Sequence, residues 1–469
     1  MSEPKEPVVK VVSLYAKEPT IHARSVRGLY DSWRWVFVAL TQLVFYGLPW
    51  LTWNGRQAVL FDLASRRFYI GGLVLYPQDF IYLTGLLVLS ACLLFFVTAI
   101  AGRVWCGYAC PQTVYTEIFM WVERRFEGDR SARLRLDASR WTRDKLLRRG
   151  GKHAVWIVLA LWTGFSFVGY FTPIRSLWKE AFTLDFGPWE WFWVNFYALA
   201  TWGNAGFMRE QVCKYMCPYA RFQSAMFDRD TLIVGYDPKR GEPRGPRTRH
   251  TEASGAGDCI DCSLCVQVCP TGIDIRRGLQ YECIGCAACI DACDGVMDKL
   301  EQPRGLIRYA TENAIEQGWG RAQILRHVLR PRVLIYASAL LLIGGLVIGS
   351  IALRTPFKVD VLRDRAALAR IVEHGHVENV YRLQIMNATE STQHYRIGAE
   401  GLNGLAIASS SELDVGPAEA RWITLRVQVP PQTAAAQSPG AHPIHFVVDR
   451  VDAAARGRIV EKSTFVLPR

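Results

Sequence analysis

Cys259-Ile-Asp-Cys262-Ser-Leu-Cys265-Val-Gln-Val-Cys269-Pro270, followed by Cys283-Ile-Gly-Cys286-Ala-Ala-Cys289-Ile-Asp-Ala-Cys293, places eight of the chain's 13 cysteines between positions 259 and 293. Both runs read C-x2-C-x2-C-x3-C. Paired runs of this spacing hold two iron–sulfur cubanes, each run giving three thiolates to one cluster and its fourth to the other. The spacing therefore predicts one [4Fe–4S] cluster on Cys259, Cys262, Cys265 and Cys293, and a second on Cys283, Cys286, Cys289 and Cys269. A zinc ribbon uses separated C-x-x-C pairs, usually with four ligands per ion, and a disulfide framework needs an oxidising compartment. Evenly spaced triplets with a fourth cysteine three residues later fit neither plan. Cys293 is followed by Asp294 rather than proline, which alters a turn preference and no ligand. Such clusters pass single electrons, and their assembly needs reduced thiols, which argues for a cytoplasmic position.

The surroundings of these runs are those of a membrane protein. The chain has 469 residues, 50% of them hydrophobic, with 16 Trp. Its length suggests about three domains. Five stretches free of charge, 35–53, 80–101, 154–174, 191–208 and 333–353, have the length of a helix that crosses hydrocarbon. Several are flanked by Trp, Tyr and Arg, as at a membrane interface. The first 34 residues are polar and basic and lack the apolar centre of a cleavable signal peptide. Loop charges set the orientation. Residues 103–152 carry 12 Lys and Arg, against three in 54–79 and two in 175–190. The positive-inside rule then makes the amino terminus, 103–152 and 209–332 cytoplasmic, and puts the tail after the fifth span in a bacterial periplasm. Charge bias and cluster assembly point to the same side. Inner loops facing anionic lipid explain most of the net charge of +12. The basic residues flank spans and no nucleic-acid recognition motif accompanies them, so a nucleic-acid partner is not expected.

The expected fold is thus an α-helical membrane protein with five transmembrane helices, an inserted bacterial ferredoxin-like domain holding two [4Fe–4S] clusters, and a C-terminal immunoglobulin-like β-sandwich. Its parts are a cytoplasmic tail 1–34, four spans in 35–208, the ferredoxin-like domain and linker 209–332, the fifth span 333–353 and the periplasmic domain 354–469. Alternation in 54–79 predicts a short outer hairpin whose second strand Gly71–Gly72 breaks. The charged segment 123–152 reads as helical along the membrane surface, 237–257 as a Gly-, Pro- and Arg-rich linker, and 309–330 as an amphipathic helix. In the tail, 380–386, 420–429 and 444–448 alternate as strands of a sandwich, and a helix is expected at 363–373.

Four further cysteines form two C-x3-C-P motifs, Cys106-Gly-Tyr-Ala-Cys110-Pro111 and Cys213-Lys-Tyr-Met-Cys217-Pro218, each just past the inner end of a span. A spacing of four puts both thiols on one helix face. The proline is tolerated if a new helix starts there and kinks the chain if it does not. If the motifs face each other, four soft sulfurs meet near the inner membrane face. Such a set suits Cu(I), zinc or another iron–sulfur centre, and Met208 and Met216 stand nearby in sequence. Cys92, among Leu and Phe, reads as core. No C-x-x-C-H is present for covalent haem, and no phosphate-binding glycine motif appears. His153 opens the third span as an interfacial residue. His374, His376, Met386 and His394 in the tail are candidate copper ligands, but read more simply as solvated strand and turn residues.

The run Trp105-Cys-Gly-Tyr-Ala-Cys-Pro-Gln-Thr-Val-Tyr-Thr-Glu-Ile-Phe-Met-Trp121, continuing to Glu127-Gly-Asp-Arg130, resembles the FixG/CcoG family of cytochrome c oxidase accessory proteins. So do Tyr76-Pro-Gln-Asp79, the motif ending at Pro218, and Leu306-Ile-Arg-Tyr-Ala-Thr-Glu-Asn313. The resemblance runs from about residue 30 to the end and is least specific in the tail. It implies an inner-membrane polyferredoxin that reduces Cu(II) to Cu(I) for assembly of a cbb-type cytochrome c oxidase. Copper is then a substrate, handled by Cys106, Cys110, Cys213 and Cys217, and the eight other cysteines are cluster ligands. Oxidase subunits or copper transporters and chaperones are the implied partners, beside the lipid bilayer and a cytoplasmic electron donor that the resemblance does not identify. Two alternatives remain: a quinol-linked electron-transfer module of a respiratory chain, and an assembly scaffold whose redox centres are secondary.

Overall fold

The long uncharged runs form the longest helices. In the computed structural model, which describes residues 20–246, 257–364, 368–451 and 457–468, the helix Phe80–Ala101 has 22 residues, Arg143–Val168 has 26 and Pro331–Leu353 has 23. These three are long and apolar enough to cross a membrane. At 1.5 Å per residue the shortest reaches about 33 Å, against roughly 30 Å of hydrocarbon. Helices that are apolar on every side and leave leucines such as Leu87 and Leu341 exposed need an apolar solvent. The protein is a membrane protein.

The other two expected spans differ. The first becomes the helix Leu29–Gly47, which starts early and carries Asp31 and Arg34 in its opening turns. The fourth becomes Pro188–Gly203, only 16 residues or roughly 24 Å long. A π-helical turn, Asn204–Met208, ends it. Among the described residues neither helix combines the length and apolarity of a span. The third starts earlier than expected, at Arg143, because the basic inner segment is helical and runs straight into it.

The molecule divides into two compact units: Met1–Thr41, Leu94–Ala160 and Ala198–Tyr336 form one, and Gln42–Leu93, Leu161–Tyr197 and Ala337–Arg469 the other. In the first, residues 20–28 of the expected tail are anchored to the fold. Arg24 N–H donates to the Gln267 carbonyl at 2.8 Å. The Asp291 carboxylate accepts from Tyr30 and Asp31 N–H at 3.2 and 2.8 Å, satisfying the first turn of the helix Leu29–Gly47 as a cap does. The helix Pro111–Glu127 is held by buried ion pairs, Glu123 to Arg133 and Arg209 at 2.6 Å each and Glu127 to Lys152 at 2.8 Å. Deleting one partner of such a pair costs about 3–5 kcal/mol. The strands Ile233–Tyr236 and Ile307–Ala310 pair antiparallel, and the helix Ala288–Lys299 packs its Ile290 and Met297 against Val234 and Ile307. The expected linker begins with the short helix Pro238–Gly241, and 247–256 lie outside the described residues. The expected amphipathic helix at 309–330 is broken. Its first residues end the strand Ile307–Ala310, and Gly318 and Gly320 separate Glu312–Gln317 from Arg321–Val328.

In the second unit the hairpin expected in 54–79 is a three-strand meander, Val59–Asp62, Arg67–Ile70 and Leu73–Leu75. Gly71, at φ +57°, and Gly72 turn the chain once more where a broken strand was expected. Leu60, Tyr69, Val74 and Tyr76 pack against Met386, Ala388 and Ala418. The carboxyl-terminal sandwich has one sheet in the order Ala406–Ile407, Ala420–Val429, Val377–Asn387, Phe357–Arg363, with Arg370–Ile371 also on Val377–Asn387. The other runs Glu412–Val415, Gln393–Glu400, Gly440–Arg450, Arg458–Leu467. Alternate residues point inward, with Tyr381, Leu383, Leu425, Phe446 and Phe465 in the core. The helix expected at 363–373 does not form: its ends belong to the strands Phe357–Arg363 and Arg370–Ile371, and 365–367 lie outside the described residues.

Candidate metal–thiolate centres

The two cysteine runs share an unusual backbone. Asp261 and Ser263 have φ of 54° and 55°, and their counterparts Gly285 and Ala287 have 66° and 60°. Left-handed residues on either side of the second cysteine coil each run into a bowl. Backbone N–H groups inside donate to sulfur: Gly285 to Cys283, Ala288 to Cys286 and Val266 to Cys265. Such bonds stabilise thiolates and tune cluster potentials.

A space of about 380 Å³ is lined by Cys259, Cys262, Cys265 and Cys293 beneath Tyr236, Met297 and Leu306. A second, of about 350 Å³, is lined by Cys269, Cys283, Cys286 and Cys289, with Cys265 at its edge. The fourth cysteine of each run thus joins the three of the other. Four thiols around a largely apolar space are a donor set suited to an iron–sulfur cubane. Burial pushes the thiols of Cys283 and Cys293 up to about 12 and Cys265 to about 11. They carry protons at neutral pH until a metal displaces them.

The C-x3-C-P motifs are built alike. Cys106 lies on the short helix Val104–Tyr108, and Cys213 on the π-helical turn Val212–Met216. Cys110 and Cys217 are extended, with ψ of 128° and 110°, and each precedes a proline that opens a new helix, Pro111–Glu127 or Pro218–Met226. The proline therefore starts a helix and kinks none. Gln112 and Thr113 N–H, at the start of the first of these helices, donate to the Cys110 sulfur. Gln112 Nε2 also donates to the carbonyls of Asn204 and Arg209, at 3.0 and 3.1 Å, which ties the first motif to the turn before the second. Burial pushes the Cys213 thiol up to about 12, and Cys110, Cys106 and Cys217 lie close enough to add to that rise. Among the described residues no three His, Cys, Asp or Glu side chains converge on one ion. In the sandwich, Met386 is buried and His394 Nδ1 sits 2.7 Å from Asp414; among the described residues the tail histidines join no trio of His, Cys, Asp or Glu that could hold an ion.

The first motif is pressed onto the second cavity. A Cβ on Gly107 would lie 2.9 Å from both Cys286 Cα and N, and one on Gly285 would lie 3.2 Å from Arg103 C. Cys106 and Cys213 share an apolar cluster with Cys286, Cys289, Ile284 and Ala288. A cavity of about 540 Å³ touches both Cys213 and Cys286 and is lined further by Gln112, Glu117, Met120 and Arg209.

Residues 208–312 match the family model of a 4Fe–4S dicluster domain, 83–128 that of a 4Fe–4S binding domain, and 347–468 that of the Ig-like fold at the carboxyl terminus of FixG. The nitrogen fixation protein FixG of Rhizobium meliloti is 39% identical over 423 residues, covering 83% of this chain and 80% of that one. The chain belongs to the FixG family. RdxA of Cereibacter sphaeroides is 40% identical over 412 residues, 86% of this chain and 87% of the relative. A crystal structure of a FixG-related protein from Vibrio parahaemolyticus is 25% identical and covers 24% of this chain and 95% of that one, with a TM-score of 0.21. This FixG-family chain is accordingly an iron–sulfur redox protein of the membrane that transfers electrons. Counting loop charges treats Arg103 as one cation among many and overlooks Gly107 and Gln223. Their signal in the sequence was position alone: Arg103 and Gly107 bracket the first cysteine of the motif.

Proposed function

We propose that the chain reduces Cu(II) to Cu(I) at Cys106, Cys110, Cys213 and Cys217, supplying copper for assembly of a cbb-type cytochrome c oxidase. The clusters, when held by the eight ferredoxin-like cysteines, supply single electrons, one for each Cu(II) reduced. The observation that carries the reading is the seat of Gly107 on the Cys286 backbone, where an added Cβ would lie 2.9 Å from Cys286 Cα, so motif and second ligand loop meet backbone to backbone at that point. Burial in an apolar cluster and soft sulfur both favour Cu(I) over Cu(II). Met120 and Glu117, lining the cavity that reaches Cys213, offer the ion a thioether and a carboxylate on its way in. Loop charges put this site and the amino terminus on the cytoplasmic face of a bacterial inner membrane and the sandwich in the periplasm. The electron donor is then a cytoplasmic reductant, and the recipients of Cu(I) are copper transporters, chaperones or oxidase subunits.

A second reading has its own support. The match of residues 83–128 to a 4Fe–4S binding model and the lack of a single-ion trio among the described residues suit a further iron–sulfur centre on the same four cysteines.

The test is anaerobic. The protein in detergent is reduced with dithionite, freed of excess, and mixed with Cu(II) and a Cu(I)-specific chelator. Regained cluster absorbance in step with Cu(I), lost in a Cys213→Ser/Cys217→Ser variant that keeps eight-cysteine iron, is the expected result. Clusters that stay reduced beside Cu(II) overturn it, and iron lost from the variant's second motif favours the further centre.

A further inference from the structure

Among the described residues, buried arginines in the first unit are matched by carboxylates, with one exception. Arg133 and Arg209 meet Glu123, and Arg34 meets Asp31 and Glu117. Arg103 is 5% exposed, yet its hydrogen-bond partners among the described residues are neutral. Its Nε donates to Gln223 Oε1 at 3.0 Å and a terminal nitrogen donates to the Tyr281 carbonyl, two residues before Cys283. Gln223 is fully buried, and the same Oε1 accepts from Cys106 Sγ at 3.3 Å while its Nε2 donates to Thr98 at 3.2 Å. The guanidinium thus stands between the first thiol of the C-x3-C-P pair and the ligand loop of the second cluster. A buried guanidinium without a counter-charge costs several kcal/mol. The groups around it that become negative are the thiolates themselves, once metal has displaced their protons.

We propose that Arg103, oriented by Gln223, is the shared counter-cation of the two thiolate centres. Each centre gains negative charge on reduction or on binding Cu(I), so the fixed positive charge favours the reduced cluster on Cys269, Cys283, Cys286 and Cys289 and the Cu(I) form at Cys106. Arg103 is a positioning residue: it touches the ligands' supports and neither donates nor accepts an electron. The cluster half of the proposal stands without the copper reading; the copper half rests on it.

The test uses the full chain in detergent with its clusters loaded, followed by EPR during a dithionite titration. In Arg103→Gln one of the two reduction steps should become about tenfold less favourable, ~59 mV for one electron, while the other moves much less. Arg103→Lys should restore most of the shift. Gln223→Glu, which keeps Arg103 in place and quenches its charge with a near-isosteric carboxylate, should move the same step the same way, and decides the matter if Arg103→Gln fails to fold. Unchanged steps in Gln223→Glu with full iron content, or equal shifts in both steps, overturn the proposal. Competition with a Cu(I) chelator reads the second half. Wild type that binds no Cu(I) removes the copper reading and leaves the cluster result intact; wild type that binds Cu(I) as tightly as the loaded Gln223→Glu variant overturns the copper half alone.

Discussion

The first and second cysteine runs have the same spacing and the same left-handed backbone, but their surroundings differ. Cys262 of the first run is exposed, whereas its counterpart Cys286 is buried. Asp261 stands where the second run has Gly285. The Asp261 carboxylate turns outward to Arg276, while Gly285 and Cys286 lie under the backbone of residues 103–107. A ferredoxin used alone has no need of this asymmetry. Here it gives the two ligand sets different neighbours: the first borders solvent, where a donor protein can approach, and the second borders the four-cysteine motif. The order of electron flow that the proposed function requires is donor, first set, second set, motif.

That order is broken most sharply by removing one ligand from each run. Cys286→Ser should cost the second cluster and with it nearly all Cu(I) formed from pre-reduced protein, a loss of tenfold or more by the steep dependence of turnover on geometry (~10²-fold for small displacements). Cys262→Ser should cost the first cluster, halving the iron, yet dithionite-loaded protein should still deliver about one electron to copper from the remaining set. Equal loss in both variants would erase the distinction between an entry side and an exit side. A smaller perturbation separates the sites without removing iron. Gly107→Val forces side-chain atoms against the Cys286 backbone, which a bare Cβ already meets at 2.9 Å. Overpacking of this kind costs about 1–3 kcal/mol, so the melting temperature should fall. Cu(I) formation should slow about tenfold while the cluster absorbance stays whole. An unaltered rate in folded Gly107→Val protein would show that the contact does not carry the transfer.

Much of this was legible in residue spacing. The exchange of fourth cysteines between runs is what C-x2-C-x2-C-x3-C predicts, because that spacing closes a small bowl; one space in the fold is lined by Cys259, Cys262, Cys265 and Cys293, and another by Cys269, Cys283, Cys286 and Cys289 with Cys265 at its edge. The strand 420–429 was readable from alternation, since one face of it meets an apolar core. The helix expected at 363–373 failed because pairing with Val377–Asn387 holds Phe357–Arg363 extended, a long-range partner that local propensity does not contain. The fourth span was readable as apolar but not as broken. At the π-helical turn Asn204–Met208 the Asn204 carbonyl accepts from Gln112, 92 residues earlier, a partner that local sequence does not show. The same holds for Arg103. Its charge is visible in the sequence, but that its hydrogen-bond partners among the described residues are neutral is a property of packing.

The mildest test exchanges the matched residues of the two runs. Gly285→Asp meets two obstacles: φ of +66°, which a side chain adopts at about 1–2 kcal/mol, and the Arg103 backbone 3.2 Å from the new Cβ. Aspartate tolerates the left-handed region better than most residues, so the close approach should dominate, with a lower melting temperature and a loosened second cluster. Asp261→Gly removes an ion pair whose aspartate is 55% exposed, worth about 0–1 kcal/mol, and relieves a positive φ of 54°. These effects oppose each other, leaving stability nearly unchanged and both clusters in place. The pair of melting temperatures, read on loaded protein, therefore measures how much of the difference between the runs lies in contact with residues 103–107. If Asp261→Gly were as damaging as Gly285→Asp, the backbone bowl itself would be the sensitive element, and the second run would hold no special place beside the C-x3-C-P motif.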